Sequence, residues 1–96
     1  MSDVVCIRLP RRLQKKLGKK DWSIELTQTR SLEWVIRHLA KECDSSFNDL
    51  LVDPAHRPEW IESIVLNSQM VILPQDLQLQ VSRGDNLFFF EPISGG

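Results

Sequence analysis

The sequence predicts an α+β fold in which one main helix packs across a mixed sheet of about five strands. Several short runs of β-branched or alternating apolar residues indicate strands, and residues 31–43 have the apolar periodicity of a helix. That helix has a single apolar stripe, which needs a sheet to cover it. With 96 residues, 42% of them hydrophobic and 26% charged, the chain is typical of one small globular domain.

The first two predicted strands form a hairpin. VVCIRL at 4–9 is rich in β-branched residues, and DWSIELT at 21–27 alternates apolar and polar residues. Between them, Pro10 and Gly18 are typical of the first residue and the C-cap of a short helix, so one or two helical turns are expected there. Alternation puts Val5, Ile7 and Leu9 on one face of the first strand. In the second strand, which is predicted to be half-buried, Trp22, Ile24 and Leu26 share a face.

The main helix is predicted over residues 31–43, SLEWVIRHLAKEC, with Ser31 as its N-cap. Its apolar stripe recurs at helical spacing and consists of Leu32, Val35, Ile36, Leu39, Ala40 and Cys43. Trp34 falls on the polar side of the helix. It either marks a contact site or packs on the stems of neighbouring side chains, namely Arg30, Arg37 or His38.

The second half of the chain predicts an ordered connection followed by further strands. In the connection, residues 44–60, Ser46 and Asp49 favour the start of a short helical turn, and two prolines prevent a long helix. IESIVLNSQMVIL then predicts a strand, a turn at Asn67-Ser68 and a short strand. The following segment, QDLQLQVSRGD, alternates only weakly before a turn.

The last predicted strand, NLFFFEPI, is the most apolar, and we therefore place it at the centre of the sheet. Alternation puts Leu87 and Phe89 on one face and Phe88 and Phe90 on the other. Pro92 can end the strand because it has no N–H for the ladder.

The order of elements and the C-terminal residues resemble the β-grasp, ubiquitin-like family, in particular the longer, MoaD-like members of the MoaD/ThiS branch of sulfur carriers. In that branch the last strand follows a Gly-Asp turn, passes a proline and stops on Gly-Gly. Glu91 stands where many members have a first proline. Residues 1–92 are thus expected to form a β-grasp domain and residues 93–96 a flexible tail. The matching positions are Gly84, Asp85, Leu87, Phe89, Phe90, Pro92, Ile93, Ser94, Gly95 and Gly96.

The resemblance implies a carrier protein, not an enzyme. In such carriers an activating enzyme uses ATP to join the terminal carboxylate to AMP, and a sulfur donor converts it to a thiocarboxylate. Gly96 is then the residue that accepts AMP and sulfur, with Gly95, Ser94 and Ile93 as the threaded tail and Pro92 stiffening its start. Expected partners are the adenylating enzyme, the sulfur donor and, for a MoaD-like carrier, the large subunit of a molybdopterin synthase. No cofactor is expected to be bound.

Phe88 and Phe90 are predicted to face away from the helix and, with Pro92, to bind partners, because monomers rarely expose large apolar patches. The alternative is that the connection or residues at the sheet edge cover the two aromatic rings.

Two other functions fit the same pattern. One is a ubiquitin-like modifier joined to lysines of target proteins through Gly96, and the other is a β-grasp interaction domain with an idle tail. The modifier shares the activation step with the sulfur carrier, so the tail sequence fits both.

Composition argues against nucleic acid and membrane partners. The net charge is −1, and the basic run Arg11–Lys20 has no interleaved aromatic residues, which favours a solvated segment and leaves an acidic partner as the alternative. No apolar run approaches the roughly 18 residues of a membrane helix. Cys6 and Cys43, without an export signal, indicate reduced thiols in the cytoplasm, and both are predicted to be core residues. His38 and His56 lack the spacing of metal ligands.

Overall fold

The computed structural model describes residues 3–52 and 61–91 of the chain. Its helices are α1 (Arg11–Leu17), α2 (Leu32–Glu42) and α3 (Asp49–Val52), with 3₁₀ helices at Ser45–Asn48 and Gln75–Gln78. Its strands are β1 (Val4–Arg8), β2 (Asp21–Glu25), β3 (Arg30–Ser31), β4 (Ser63–Leu66), β5 (Gln69–Val71), β6 (Gln80–Val81) and β7 (Asn86–Phe90).

Within the described ranges, five of these strands form one mixed sheet in the order β2-β1-β7-β4-β5, and β3 pairs with β6 separately. The last strand, β7, lies in the centre, as predicted. It runs parallel to β1, with Leu87 opposite Ile7, and antiparallel to β4, with Phe89 opposite Ile64. The chain therefore reaches its C-terminal segment from the middle of the sheet.

One face of the sheet packs against α2, and the core lies between them. The predicted stripe of α2 is buried from Leu32 to Ala40, while Cys43 is half-buried at its end. Phe47, from the first 3₁₀ helix, packs edge-on against Phe89 with 5.1 Å between the ring centroids. The other large core side chains are Val5, Ile7, Leu9, Leu13, Ile24, Leu26, Leu50, Ile61, Ile64, Leu66, Val71, Val81 and Leu87.

Three predicted turn and cap residues are confirmed. Gly18 ends α1 at a φ of 73° and donates its N–H to the carbonyl of Gln14, a left-handed conformation that glycine adopts without a steric penalty. The Ser31 hydroxyl accepts the N–H of Trp34 at 3.1 Å. Asn67 turns the β4–β5 hairpin at a φ of 58°.

The connection after α2 begins differently from the prediction. Asp44, not Ser46, caps the helical turn, because its carboxylate accepts both the N–H and the hydroxyl of Ser46. It also pairs with Lys16 of α1 at 2.8 Å. Burial raises the pKa of Asp44, but the hydrogen bonds from Lys16 and Ser46 outweigh burial and hold the pKa below its ordinary value. The two prolines of the connection, Pro54 and Pro58, lie outside the described residues.

The pairing of β3 with β6 was not predicted from the sequence. Arg30 lies opposite Val81 and Ser31 opposite Gln80, and the carbonyl of Leu79 accepts the N–H of Leu32 at 2.8 Å. Leu79 is half-buried and directly follows the 3₁₀ helix Gln75–Gln78, which the weak alternation of this segment did not indicate. These contacts hold the beginning of α2 against the segment that leads into β7.

We expect adjacent phenylalanines of β7 to differ sharply in their effect on stability. Phe89 is 2% exposed and Phe90 is 47% exposed. Phe89→Ala should lower the free energy of unfolding by about 3–5 kcal/mol, because it empties a core position. Phe90→Ala should cost about 1 kcal/mol or less, since it mainly loses strand propensity.

Urea unfolding of the two variants measures this difference. Equal destabilisation would contradict the assignment of the two side chains to opposite faces of the sheet.

Candidate functional site

The strand β7 presents two aromatic rings on the outer face of the sheet, which is the face opposite α2. Phe88 is half-buried and Phe90 is exposed, while Leu87 and Phe89, which alternate with them along the strand, are buried in the core. The centroids of the two outer rings are 6.0 Å apart. The predicted outward direction of Phe88 and Phe90 is confirmed.

Two further apolar residues extend this surface across the neighbouring strands. Val65 of β4 lies opposite Phe88, and Met70 of β5 lies opposite Val65. Residues directly opposite in antiparallel strands share a face. Met70 is 56% exposed and Val65 is half-buried. We call Val65, Met70, Phe88 and Phe90 the outer apolar patch.

Sequence reasoning named only the two phenylalanines of this patch. Val65 could have been assigned to the outer face as well, because adjacent residues of a strand face opposite sides of the sheet. Its neighbours in β4, Ile64 and Leu66, are both buried in the core. On its β1 side the patch is bordered by Arg8, which is opposite Phe88 and pairs with Asp21 at 2.7 Å. An apolar centre with a charged border is the usual anatomy of a protein-binding surface.

The end of β7 is held by contacts on two sides. The carbonyl of Phe90 accepts the N–H of Glu62 at 2.6 Å. The carboxylate of Glu91 accepts the backbone N–H of Arg12, in the first turn of α1. We call Phe90 and Glu91 the tail root, because the predicted tail follows directly in the sequence. The predicted site residues Pro92, Ile93, Ser94, Gly95 and Gly96 lie outside the described residues.

Two solved structures from Haloferax volcanii resemble the whole chain. The solution structure of the HVO 2177 protein has a TM-score of 0.70 and 20% identity, over 99% of this chain and 88% of that one. The crystal structure of SAMP1 has a TM-score of 0.67 and 18% identity, over 97% of this chain and 99% of that one. Together with the central last strand and the helix across the sheet, these likenesses decide the fold.

The chain has the β-grasp fold of ubiquitin-like proteins. The predicted fold class is therefore confirmed. No protein-family model matches the chain, and no curated protein matches its sequence. Among the helices of the described residues, none is long and apolar enough to cross a bilayer.

Trp34 is half-buried and packs at the margin of the core, and its ring also contacts two neighbouring side chains. The guanidinium of Arg30 lies 4.6 Å from the centre of the Trp34 ring, and His38 stacks on the same ring at 4.9 Å. These contacts favour the packing interpretation over the contact-site interpretation.

In the parts of the chain that the structure describes, no group of three or more potential ligands could hold a metal ion.

The two cysteines have different surroundings. Cys43 packs at the margin of the core, where burial first and the Asp44 carboxylate second raise the pKa of its thiol to about 11, with Lys19 partly opposing them. Cys6 was predicted to be a core residue, and this prediction is wrong. It alternates with the buried residues Val5 and Ile7, and so it lies half-buried on the outer face.

We expect the thiol of Cys43 to react slowly in the folded chain. At pH 8, a pKa of about 11 in place of 9.0 lowers the thiolate fraction, and with it the alkylation rate, roughly a hundredfold. The rate should rise about tenfold per pH unit up to pH 10, because the thiolate is the reacting species.

Iodoacetamide labelling of a Cys6→Ser variant, followed by mass spectrometry, measures this rate. The same variant in concentrated urea is the matched control and should react at the rate of an ordinary thiol. Equal rates in the folded and unfolded chains would contradict the assigned environment of Cys43.

Proposed function

We propose that the chain is a ubiquitin-like sulfur carrier of the MoaD type, in which Gly96 provides the carboxylate that is adenylated and then converted to a thiocarboxylate. The observation that carries this proposal is the position of β7. This strand is central in a β-grasp sheet, and the sequence PISGG follows directly after its held end. The core thus provides a fixed starting point for a segment that ends in two glycines.

The proposed chemistry uses the main chain of Gly96. A carboxylate oxygen attacks the α-phosphate of ATP, and pyrophosphate leaves. The outer sulfur of a persulfide on the donor then attacks the carbonyl carbon and AMP leaves, which joins donor and carrier through an acyl disulfide. A second thiol attacks the donor sulfur of this S–S bond and forms a disulfide with it, and the carrier leaves as the thiocarboxylate. ATP and the groups that activate it belong to the adenylating enzyme, so the carrier binds no cofactor and performs no catalysis itself.

The composition of the tail suits such a role. Gly95 and Gly96 have no Cβ, and this lets the backbone enter a narrow channel and adopt conformations closed to other residues. Threading a free segment costs conformational entropy. Pro92 restricts the first residue of the segment and reduces that cost. Ser94 and Ile93 are proposed to be the residues that the partner holds.

The outer apolar patch is the proposed docking surface for the partner. Met70 and Phe90 are both about half exposed, and the patch continues to the tail root through Phe90. Burying a large apolar side chain contributes about 1.5–3 kcal/mol when the side chain starts fully exposed. Pro92, the next residue in the sequence after the tail root, is also proposed to bind the partner.

The proposed partners follow from this chemistry. They are the adenylating enzyme, the sulfur donor and the large subunit of a molybdopterin synthase as the protein that uses the sulfur. A cytoplasmic location is part of the proposal, because it keeps both thiols reduced. The ubiquitin-like modifier remains the alternative, and lysine conjugates formed through Gly96 would identify it.

We expect activation to depend strictly on Gly96 as the last residue. The chain ending at Gly96, incubated with ATP and the adenylating enzyme of the same host, should release pyrophosphate. Deleting Gly96, or adding one residue after it, should abolish this release, because the carboxylate no longer lies at the required place in the channel.

Thermal unfolding of both variants is the control for the fold, and their midpoints should match that of the parent chain. Normal pyrophosphate release from the extended chain, with the extra residue still present by mass, would overturn the proposal.

We expect Phe90→Ala to weaken docking without affecting the chemical step. The loss of a half-exposed aromatic contact, about 1.4 kcal/mol, should raise the KM of the adenylating enzyme for the carrier about tenfold and leave kcat unchanged.

The matched control is Val52→Ala, which removes an even more exposed apolar side chain, at 82% exposure, from α3 on the opposite side of the sheet. Its KM should remain that of the parent chain. The same KM for both variants would exclude the outer apolar patch as the docking surface.

A further inference from the structure

A cationic surface lies on α1 and the turn that follows it. The chain has 12 basic and 13 acidic residues in total. Half of the basic residues, and none of the acidic ones, fall within residues 11–20. The remaining sequence is therefore clearly acidic. The cations of the segment are Arg11, Arg12, Lys15, Lys16, Lys19 and Lys20.

The fold directs these charges outward. Leu13 is fully buried in the core and Leu17 packs at its margin, so the opposite side of α1 faces solvent. Lys16 is engaged by Asp44, and the ammonium of Lys19 lies 4.6 Å from the centre of the Trp22 ring. These two contacts fasten α1 and the turn that follows it to their neighbours.

Three other cations of the segment are exposed and have no ion pair within residues 3–52 and 61–91, namely Arg11, Lys15 and Lys20. They are among the residues that line an open groove of about 340 Å³. Gly18 also lines the groove, and its missing side chain leaves open space there. The side-chain amide of Gln14, a further lining residue, is already bonded to the carbonyl of Leu9. We call this feature the α1 groove.

The α1 groove lies close to the tail root. The backbone N–H of Arg12 is bonded to Glu91, so the first turn of α1 touches the residue where the described part of β7 ends. Strands β1 and β7 are parallel, and both end at this edge of the sheet. The outer apolar patch is on one side of this edge, whereas α1, tied to the core by Leu13 and to Asp44 by Lys16, is on the helix side.

We infer that the α1 groove binds an acidic peptide segment of the adenylating enzyme, so that the enzyme contacts the carrier on both sides of the tail root. This inference rests on the proposed function. The guanidinium of Arg11 and the ammonium groups of Lys15 and Lys20 are suited to carboxylates, which they bind through charge-assisted hydrogen bonds. Their charges would also steer an acidic surface towards the tail before docking.

Nucleic acid fits the groove less well than an acidic peptide. A phosphodiester chain places a charge at every nucleotide, and beyond the ten-residue cationic segment it would meet a surface with a net negative charge. No aromatic ring is among the described residues that line the groove, so an unpaired base would have no stacking platform. A short segment with a few Asp or Glu side chains meets neither obstacle.

The kinetic test compares Lys15→Glu with Lys41→Glu. Both lysines are exposed and lie in the last turn of a helix, so the two variants make the same change of charge in matched positions. Lys15→Glu should raise the KM of the adenylating enzyme about tenfold at low salt, with the difference shrinking as salt is added and kcat unchanged. Lys41→Glu should leave KM within about twofold of the parent value.

A second measurement does not depend on activation. An eight-residue peptide of alternating Asp and Glu is titrated into the full chain at low salt, and backbone amide shifts are recorded by NMR. The shifts should concentrate in residues 11–20 and disappear in Lys15→Glu but not in Lys41→Glu. A single-stranded oligonucleotide of equal charge should shift these amides less.

The outcomes separate the two proposals. If the chain is activated and the two lysine variants have equal KM values, the groove inference is overturned and the carrier function stands. If the chain is not activated but the acidic peptide shifts residues 11–20, the carrier function fails and the groove keeps its ligand class. Scattered peptide shifts, or stronger shifts with the oligonucleotide, overturn the groove inference in either case.

Discussion

The pairing of β7 between β1 and β4 is the interaction on which the rest of the molecule depends. It joins the N-terminal hairpin to the β4–β5 hairpin, and it buries Leu87 and Phe89 against α2 and Phe47. Because side chains alternate along a strand, β7 also supplies Phe88 and Phe90 to the outer apolar patch. One strand therefore supplies the centre of the core, part of the proposed docking surface and the starting point of the proposed tail.

The contacts at the tail root mark where the described part of the domain ends and the proposed tail begins in the sequence. Phe90 is bonded to Glu62 and Glu91 to the first turn of α1, so hydrogen bonds hold the chain up to the last residue before Pro92. In a chain with proline at position 91, this side-chain contact would not exist. Here the Glu91 carboxylate connects the end of β7 to α1. The outer apolar patch and the α1 groove therefore lie on opposite sides of the same edge of the sheet.

Much of this fold could be predicted from the sequence, because local patterns determine it. Alternation in NLFFF separated the inner from the outer phenylalanines, and Gly18 and Ser31 have the residue types that helix ends require. The parts that were missed depend on tertiary contacts. The bond between Glu91 and Arg12 joins residues 79 apart in the sequence, and no local pattern indicates it. The pairing of β3 with β6 involves two residues on each side, too few for periodicity to appear.

The most direct test of the central claim is the intact mass of the protein isolated without a tag from its native host, with its C-terminal peptide sequenced. We predict a chain that ends at Gly96 and a fraction that is heavier by the difference between sulfur and oxygen, located on that glycine. A mature chain that extends beyond Gly96, or one that ends there only as a plain carboxylate with no lysine conjugates in the same cells, would contradict it.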